Sequence, residues 1–461
     1  MPTTDPTALT VAGLGAAYRA GTLDPVEVTE AYLARIKTGD VYRLVSASRA
    51  RRQAEASRRR FAAGVDAGPL DGVPLALKDL IDTEGDVTGA GSPPLMDGPP
   101  AERDAPVAAR LDAAGAVFLG KTTMTELAFS GIGINPHTGT PGNAFDRERV
   151  PGGSSSGSAI AVATGRACAA IGSDTGGSVR IPASFNALVG LKTTDALIPC
   201  DGCVSLSTTV DTLGPIARTV EDAWILFGAM AGRRPEPLPE APERWRLWAP
   251  PTVWFEDLDP GVERVVARAI GLLEEAGHDI DRTPLPLLAE LDALYSRYGS
   301  FAAHEALARY EEMLEEHGAR MDARVVTRIL ATRGRPATDY LRLTWARDRL
   351  RHAVWERSLA YDAFVLPSVA VPPPRLDDLI ADDDAFLAAN ARVLRHTTLG
   401  NLLGGPVVTV PAGFDPDGLP VGLSFAAAPY DDTLALSLAR GAERLLGAHV
   451  SDPHASDPHE G

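Results

Sequence analysis

The sequence predicts an α/β protein with substantial parallel pairing, on three observations. Strand-like and helix-like runs alternate between Gly72 and Leu191. With 461 residues, 45% of them hydrophobic and 23% charged, the chain can bury one large α/β core or two smaller ones. Strand-like runs return after residue 363, where they are expected to rejoin the same sheet.

The elements follow in order. Asp24-Pro25-Val26-Glu27 supplies an N-cap, a proline at the first helical position and a capping glutamate, predicting a helix through Ile36. A second helix is expected from about Val45 to Ala62. Gly72-Val73-Pro74-Leu75-Ala76-Leu77 reads as a short buried strand with Lys78 at its C-terminal end and Asp79 just beyond. Strand ends are where α/β proteins build sites. Asp104 to Ala114 predicts a helix stopped at Gly115, Ala116 to Leu119 a strand, and Thr122 to Phe129 a helix. Ser158 to Thr164 reads as an alanine-rich helix, with Ala167 to Ile171 and Val189 to Leu191 as strands. Four prolines between Arg233 and Pro242 mark a linker. Residues 285 to 361 look helical and arginine-rich, and the runs at 363–367, 407–411 and 419–423 are strand-like.

Charge and cysteine usage exclude several classes. A net charge of −17 gives no clustered cationic surface for nucleic acid. The basic run Arg49 to Arg60 fits a solvated helix face better than a binding patch. The N-terminus carries no basic start or apolar run, so neither a signal peptide nor a membrane span is expected, and a cytoplasmic protein is. Cys168, Cys200 and Cys203 are too few for a disulfide framework. Cys200-Asp201-Gly202-Cys203 has a redox spacing without a thioredoxin-like context and reads as a plain turn.

Of the 44 cationic residues only Lys37, Lys78, Lys121 and Lys192 are lysine. Arginine is not deprotonated in proteins, whereas a buried lysine can become neutral and act as a base. Lys78, on an otherwise apolar strand, is the candidate, although a strand-end lysine taken alone is usually a surface residue. Two glycine-serine loops follow it, Gly152-Gly153-Ser154-Ser155-Ser156-Gly157-Ser158 and Gly172-Ser173-Asp174-Thr175-Gly176-Gly177-Ser178. A serine hydroxyl is a poor nucleophile that needs a base within reach and an anion site. Ser178 follows two glycines that let backbone N–H groups converge on an oxyanion, and Ser154 can bridge the base to it. The bland alternatives are a capped glycine turn and a flexible linker. The first loop runs straight into an apolar helix, which favours an ordered loop.

These residues resemble the amidase signature family of serine hydrolases. The resemblance rests on Gly72-Val73-Pro74 leading to Lys78-Asp79, on Val150 to Ala159, on Gly172 to Arg180, on Leu213 to Asp222 and on Leu419 to Leu423. It spans nearly the whole chain, more loosely from about 240 to 360. It implies an α/β/α sandwich around a large mixed sheet, Ser178 as acylated nucleophile, Ser154 as the bridging serine on a cis peptide bond and Lys78 as base. It further implies an oxyanion hole of the N–H groups of Thr175, Gly176, Gly177 and Ser178, a small-molecule amide substrate, no cofactor, no metal, and a homodimer. The implied organisation is one domain over 1–450, with N-terminal helices at 1–65, a catalytic core at 66–230, a linker at 231–245 and a helical insert with returning strands at 246–450. Residues 451–461, which repeat Ser-Asp-Pro-His, are expected to be disordered. Lys192-Thr193-Thr194 lacks the proline common after that lysine, and Leu423-Ser424 replaces a frequent leucine-glutamine. Both departures leave the triad intact and weaken any assignment of subgroup.

Competing readings are weighed on the same residues. Gly115 to Thr122 fits the written P-loop pattern, but a helix precedes Gly115 and the variable residues look like the strand itself, so no ATP site is expected. The nine histidines show no His-Glu-x-x-His spacing, while a histidine-based triad stays open on spacing alone. Within the family, the glutaminase-type A subunit of a tRNA-dependent amidotransferase is the first alternative to a stand-alone amidase, which the stretch Met124 to Pro136 favours. A catalytically inactive binding member is the second. A carboxylated urea or biuret-type substrate falls within the stand-alone class. The substrate pocket is expected from residues 124–143, from the helical segment around Tyr295 to Tyr310 and from the loop near Tyr430-Asp431. Arg or Tyr side chains there are candidates to hold a substrate carboxylate, although surface exposure is the better reading of each singly.

Overall fold

The computed structural model describes residues 5–447. Its centre is one mixed sheet built from β1 (Tyr42–Val45), β2 (Pro74–Lys78), β3 (Val117–Thr122), β4 (Ala169–Asp174), β5 (Val189–Lys192), β6 (Thr212–Ala217), β7 (Arg246–Trp248), β8 (Asp279–Asp281), β9 (Ala363–Pro367), β10 (Val407–Phe414) and β11 (Pro420–Ala426). The spatial order is β1-β3-β2-β4-β6-β5-β10-β11-β9-β7-β8. Parallel pairing is confined to β3-β2-β4 on one side and β9-β7-β8 on the other. The strands between them, from β4 to β9, pair antiparallel. The late strands β9, β10 and β11 rejoin the sheet as expected.

Helices cover both faces, giving three α/β/α layers. Asp432–Leu446 packs on both Val220–Met230 and Pro260–Glu275, and all three pack on the strands. Opposite them lie Arg180–Phe185 and Asp383–Leu403, which also touch each other. The strands that carry the site, β2 and β4, are wholly buried, apolar on both faces up to the ends that bear Lys78, Ser173 and Asp174.

Local signals explain several elements. Asp24 accepts from the N–H groups of Val26 (2.8 Å) and Glu27 (3.3 Å), and Pro25 opens the helix Pro25–Arg35. The basic run forms the helix Ala47–Ala62, whose arginines reach acids around it: Arg49 to Asp104 (2.6 Å), Arg51 to Glu30 (2.6 Å) and Arg60 to Asp71 (2.5 Å). Cys203 N–H donates to Cys200 C=O at 3.1 Å, closing a turn between two free thiols. Gly120, Lys121 and Thr122 lie inside β3, after the helix Pro106–Ala113, so that stretch forms no phosphate loop.

Two expectations are corrected. Residues Thr122 to Phe129 do not form a helix: Thr122 ends β3, and only a single 3-10 turn, Glu126–Ala128, follows. Three N–H groups are taken from outside, Thr123 by Val41 C=O (3.0 Å), Thr125 by Ser154 C=O (3.2 Å) and Leu127 by Ala90 C=O (2.9 Å), while Ala128 and Phe129 donate three residues back and not four. The second helix starts at Ala47 because Tyr42–Val45 pairs with β3 as an edge strand. The proline-rich stretch after Arg233 forms no helix or strand and is mostly exposed, with Leu238 buried and Glu236 C=O accepting from Trp224 Nε1 at 2.6 Å. The repeated tail at 451–461 lies outside the described residues.

Candidate active site

Lys78 is delivered by the end of β2, with no solvent exposure. Its Nζ lies 2.7 Å from Ser154 Oγ and 2.8 Å from Ser173 Oγ, with Ser173 C=O at 3.5 Å. None of these partners is ionised. Burial therefore dominates its titration, and its pKa falls to about 7 although Asp174 and Asp211 pull upward from further off.

Ser154 sits on a loop fixed by close backbone approach, and the Gly153–Ser154 peptide is cis. A Cβ on Gly153 would lie 2.6 Å from Gly133 N, so only glycine fits. Gly153 N–H donates to Gly131 C=O at 2.8 Å. Ser155 N–H donates to Ser178 C=O at 3.3 Å, which joins the first serine loop to the second.

The second loop is organised by Asp174, the last residue of β4. Its Oδ1 accepts from Gly177 N–H (2.8 Å), Arg180 Nη2 (2.8 Å) and Asn401 Nδ2 (2.9 Å). Its Oδ2 accepts from Val179 N–H (3.1 Å), Arg180 N–H (3.4 Å) and Arg180 Nε (3.0 Å). Burial alone would raise this carboxyl, but the Arg180 guanidinium and the hydrogen bonds outweigh it and hold the pKa well below the usual carboxylate range. Two further anchors fix the loop: Thr397 Oγ1 donates to Gly176 C=O, and Thr175 Oγ1 to Asp211, both at 2.6 Å.

This clamp changes one expectation. Gly177 N–H points at Asp174 and is not free for an oxyanion, because it helps hold the turn that presents Ser178. Among the described residues the N–H groups of Thr175, Gly176 and Ser178 donate to no protein acceptor and remain available. Gly177 is still required for its conformation, with φ at +130° and no room for a Cβ against Thr397.

Ser178 opens onto a cavity of about 420 Å³. Ala128, Phe129 and Ser130 line it from the first segment expected to do so, and Tyr295, Ser296 and Ser300 from the second. Tyr430-Asp431 does not: Tyr430 N–H donates to Thr194 Oγ1, at the start of the helix Asp432–Leu446, away from these lining residues. No described histidine hydrogen-bonds a serine hydroxyl; the buried one, His396, binds Pro367 C=O, and burial lowers its pKa to about 3. No described helix is long and apolar enough to cross a membrane.

Residue patterns alone did not single out Ser173 as a second hydroxyl on Lys78, the Asp174–Arg180–Asn401 clamp, or Arg328 in the cavity wall. Ser173, Asp174 and Arg180 stand inside the quoted motif, but Asn401 is 227 residues from Asp174 and no local pattern links them.

Comparison with known proteins decides the family. The Amidase family model matches residues 27–436. The chain belongs to the amidase family. A 2-amino-5-chloromuconic acid deaminase of Comamonas testosteroni is 35% identical over 88% of this chain and 89% of its own. The A subunit of a Symbiobacterium thermophilum glutamyl-tRNA(Gln) amidotransferase is 34% identical over 96% of this chain and 98% of its own. Among solved structures, a crystal structure of an amidase superposes with a TM-score of 0.84 at 29% identity, covering 96% of this chain and all (100%) of that one. This amidase-family chain is thus an enzyme of the amide-hydrolysing type, with small amides as its general substrate class.

Proposed function

We propose that this amidase cleaves a small carboxylic amide through an acyl-enzyme on Ser178, using Lys78 and Ser154 to move the proton. Neutral Lys78 takes a proton from Ser154 Oγ, which takes one from Ser178 Oγ as that oxygen bonds to the amide carbon. The oxyanion is met by the free N–H groups of Thr175, Gly176 and Ser178. The proton returns along the same relay to the departing nitrogen, the C–N bond breaks, and ammonia or an amine leaves. Water then repeats the sequence and releases the carboxylic acid.

The observation that carries this reading is a fully buried lysine whose amine bonds two serine hydroxyls and, among the described residues, no carboxylate, with a pKa of about 7. Such a group is poised near neutrality, where general bases work best. Serine labelling tests it: a fluorophosphonate should modify Ser178, and Ser178→Ala and Lys78→Ala should each lose amide turnover. Absence of an adduct on a folded protein would favour the inactive binding member instead.

The similarity to the glutamyl-tRNA(Gln) amidotransferases supports a second reading, glutaminase action within a complex. Ammonia release by the purified chain from simple amides separates the two. Release from glutamine alone, and only with a partner, would favour the second.

A further inference from the structure

Arg328, on the helix Ala323–Leu330, is the cation in the wall of the Ser178 cavity without an acid of its own. Arg395, also in that wall, pairs with Glu256 at 3.3 Å and acts on Asp292, a carboxyl of the same wall. Arg324, one turn away from Arg328, pairs with Asp383 at 2.8 Å. Among the described residues no carboxylate stands within ion-pairing distance of Arg328. Its guanidinium donates one hydrogen bond, through Nη1, to Phe129 C=O, and lies 4.3 Å from the centroid of the Phe129 ring. Phe129 itself lines the cavity. The fork is therefore oriented by Phe129 while its other N–H groups stay unspent.

Arg328 is half-buried, and a partly desolvated guanidinium costs free energy that a protein normally offsets with an acid. Here burial depresses the pKa to about 10 and nothing pulls it back. Leu206, Leu394 and Leu402 give the cavity wall apolar stretches between its polar groups, and reduced local polarity strengthens the pull of a charge on an anion. Among the described residues no carboxylate pairs with Arg328, Asp292 in the same wall acting on Arg395, and the cavity is where a substrate must lie to reach Ser178.

We infer that Arg328 is a specificity-determining residue that binds a carboxylate on the substrate, at the end remote from the scissile amide. The substrate class is then an amide of a dicarboxylic acid, with one carboxyl amidated and the other free. This rests on the amide-hydrolase reading of Ser178. Arginine suits the task because its planar fork meets a carboxylate with two parallel hydrogen bonds.

The test compares kcat/KM for succinamate and glutaramate with that for butyramide and valeramide, which match them in chain length without the charge. The native enzyme should prefer the carboxylated pair, and Arg328→Gln should reduce that preference by on the order of 10- to 100-fold, mainly through KM. Arg328→Lys should keep part of it. A binding arm needs no turnover: glutarate should bind Ser178→Ala protein in a calorimeter and lose that affinity when Arg328→Gln is added. An unchanged preference and unchanged glutarate binding in folded Arg328→Gln would overturn the inference. If Arg328→Gln does not fold, Arg328→Lys decides on the same two readings. Failure of the hydrolase reading looks different, with no serine-dependent turnover of any amide while glutarate binding still reports on Arg328.

Discussion

Replacing Asp174 by Asn tests how the nucleophile loop is held. Each carboxylate oxygen accepts three hydrogen bonds from N–H donors. Whichever oxygen becomes the amide NH2 in Asp174→Asn, three donors then face a donor. The change also leaves Arg180, 2% exposed, without its counter-charge, its remaining side-chain partner being Asn401 Oδ1 at 2.7 Å. Breaking a buried pair from one side costs about 3–5 kcal/mol, a large share of the roughly 5–15 kcal/mol that holds a domain folded. The pH dependence has a definite sign. A carboxyl with a depressed folded-state pKa stabilises fully above its unfolded pKa of about 4, and that stability is lost as pH falls toward the folded value. Urea unfolding at pH 7 and at pH 3.5, followed by tryptophan fluorescence, reads both effects. The native protein should lose stability between the two pH values by more than Asp174→Asn does. A cost below about 1 kcal/mol at pH 7, with turnover intact, would refute the view that this clamp presents Ser178.

Other perturbations give equally definite outcomes. Lys78→Ala should lower kcat by on the order of 100- to 10,000-fold, the range for a general base, and a loss below tenfold would contradict the relay. Ser173→Ala removes one of two hydroxyls on Lys78 and should cost about fivefold in kcat, the worth of one hydrogen bond, without preventing Ser178 labelling. Gly177→Ala should abolish activity, since its φ of +130° is disfavoured for alanine and Thr397 fills the space; near-native turnover would show that the loop relaxes freely. Burial pushes the thiols of Cys168 and Cys200 up to about 12, so iodoacetamide at pH 8 should leave both unmodified in the folded chain, and rapid alkylation of either would contradict their placement.

What the sequence discloses follows the range of the interactions. Lys78 and the two serine loops were legible because each is a contiguous run, glycine beside hydroxyl, and the pattern extends over most of the chain. Pro25–Arg35 was legible because a cap, a proline and an apolar stripe are all local. Thr122 to Phe129 misled because its hydrogen bonds go to Ala90 and Ser154, outside any window. The strand β6 was met only as part of a motif, Leu213 to Asp222, because its alternation is broken by Gly214 and Pro215. Residues Thr175, Gly176 and Ser178 keep free N–H groups as the loop composition suggests, whereas Gly177 spends its own on a carboxylate that the motif displays without showing its aim. Arg328 was one arginine among many in a helical stretch. Only the third dimension distinguishes it, since what matters is that no described acid pairs with it.

The pH dependence of kcat/KM from pH 5 to 9, on the amide that the enzyme cleaves best, tests most directly whether neutral Lys78 is the base. kcat/KM reports the free enzyme, whose Lys78 has a pKa of about 7. The account predicts a tenfold rise per pH unit on the acid side, levelling off above about pH 7, and loss of that dependence with the residual activity of Lys78→Ala. A profile that falls from neutral to alkaline pH while the fold persists, or one that Lys78→Ala leaves unchanged, would contradict it.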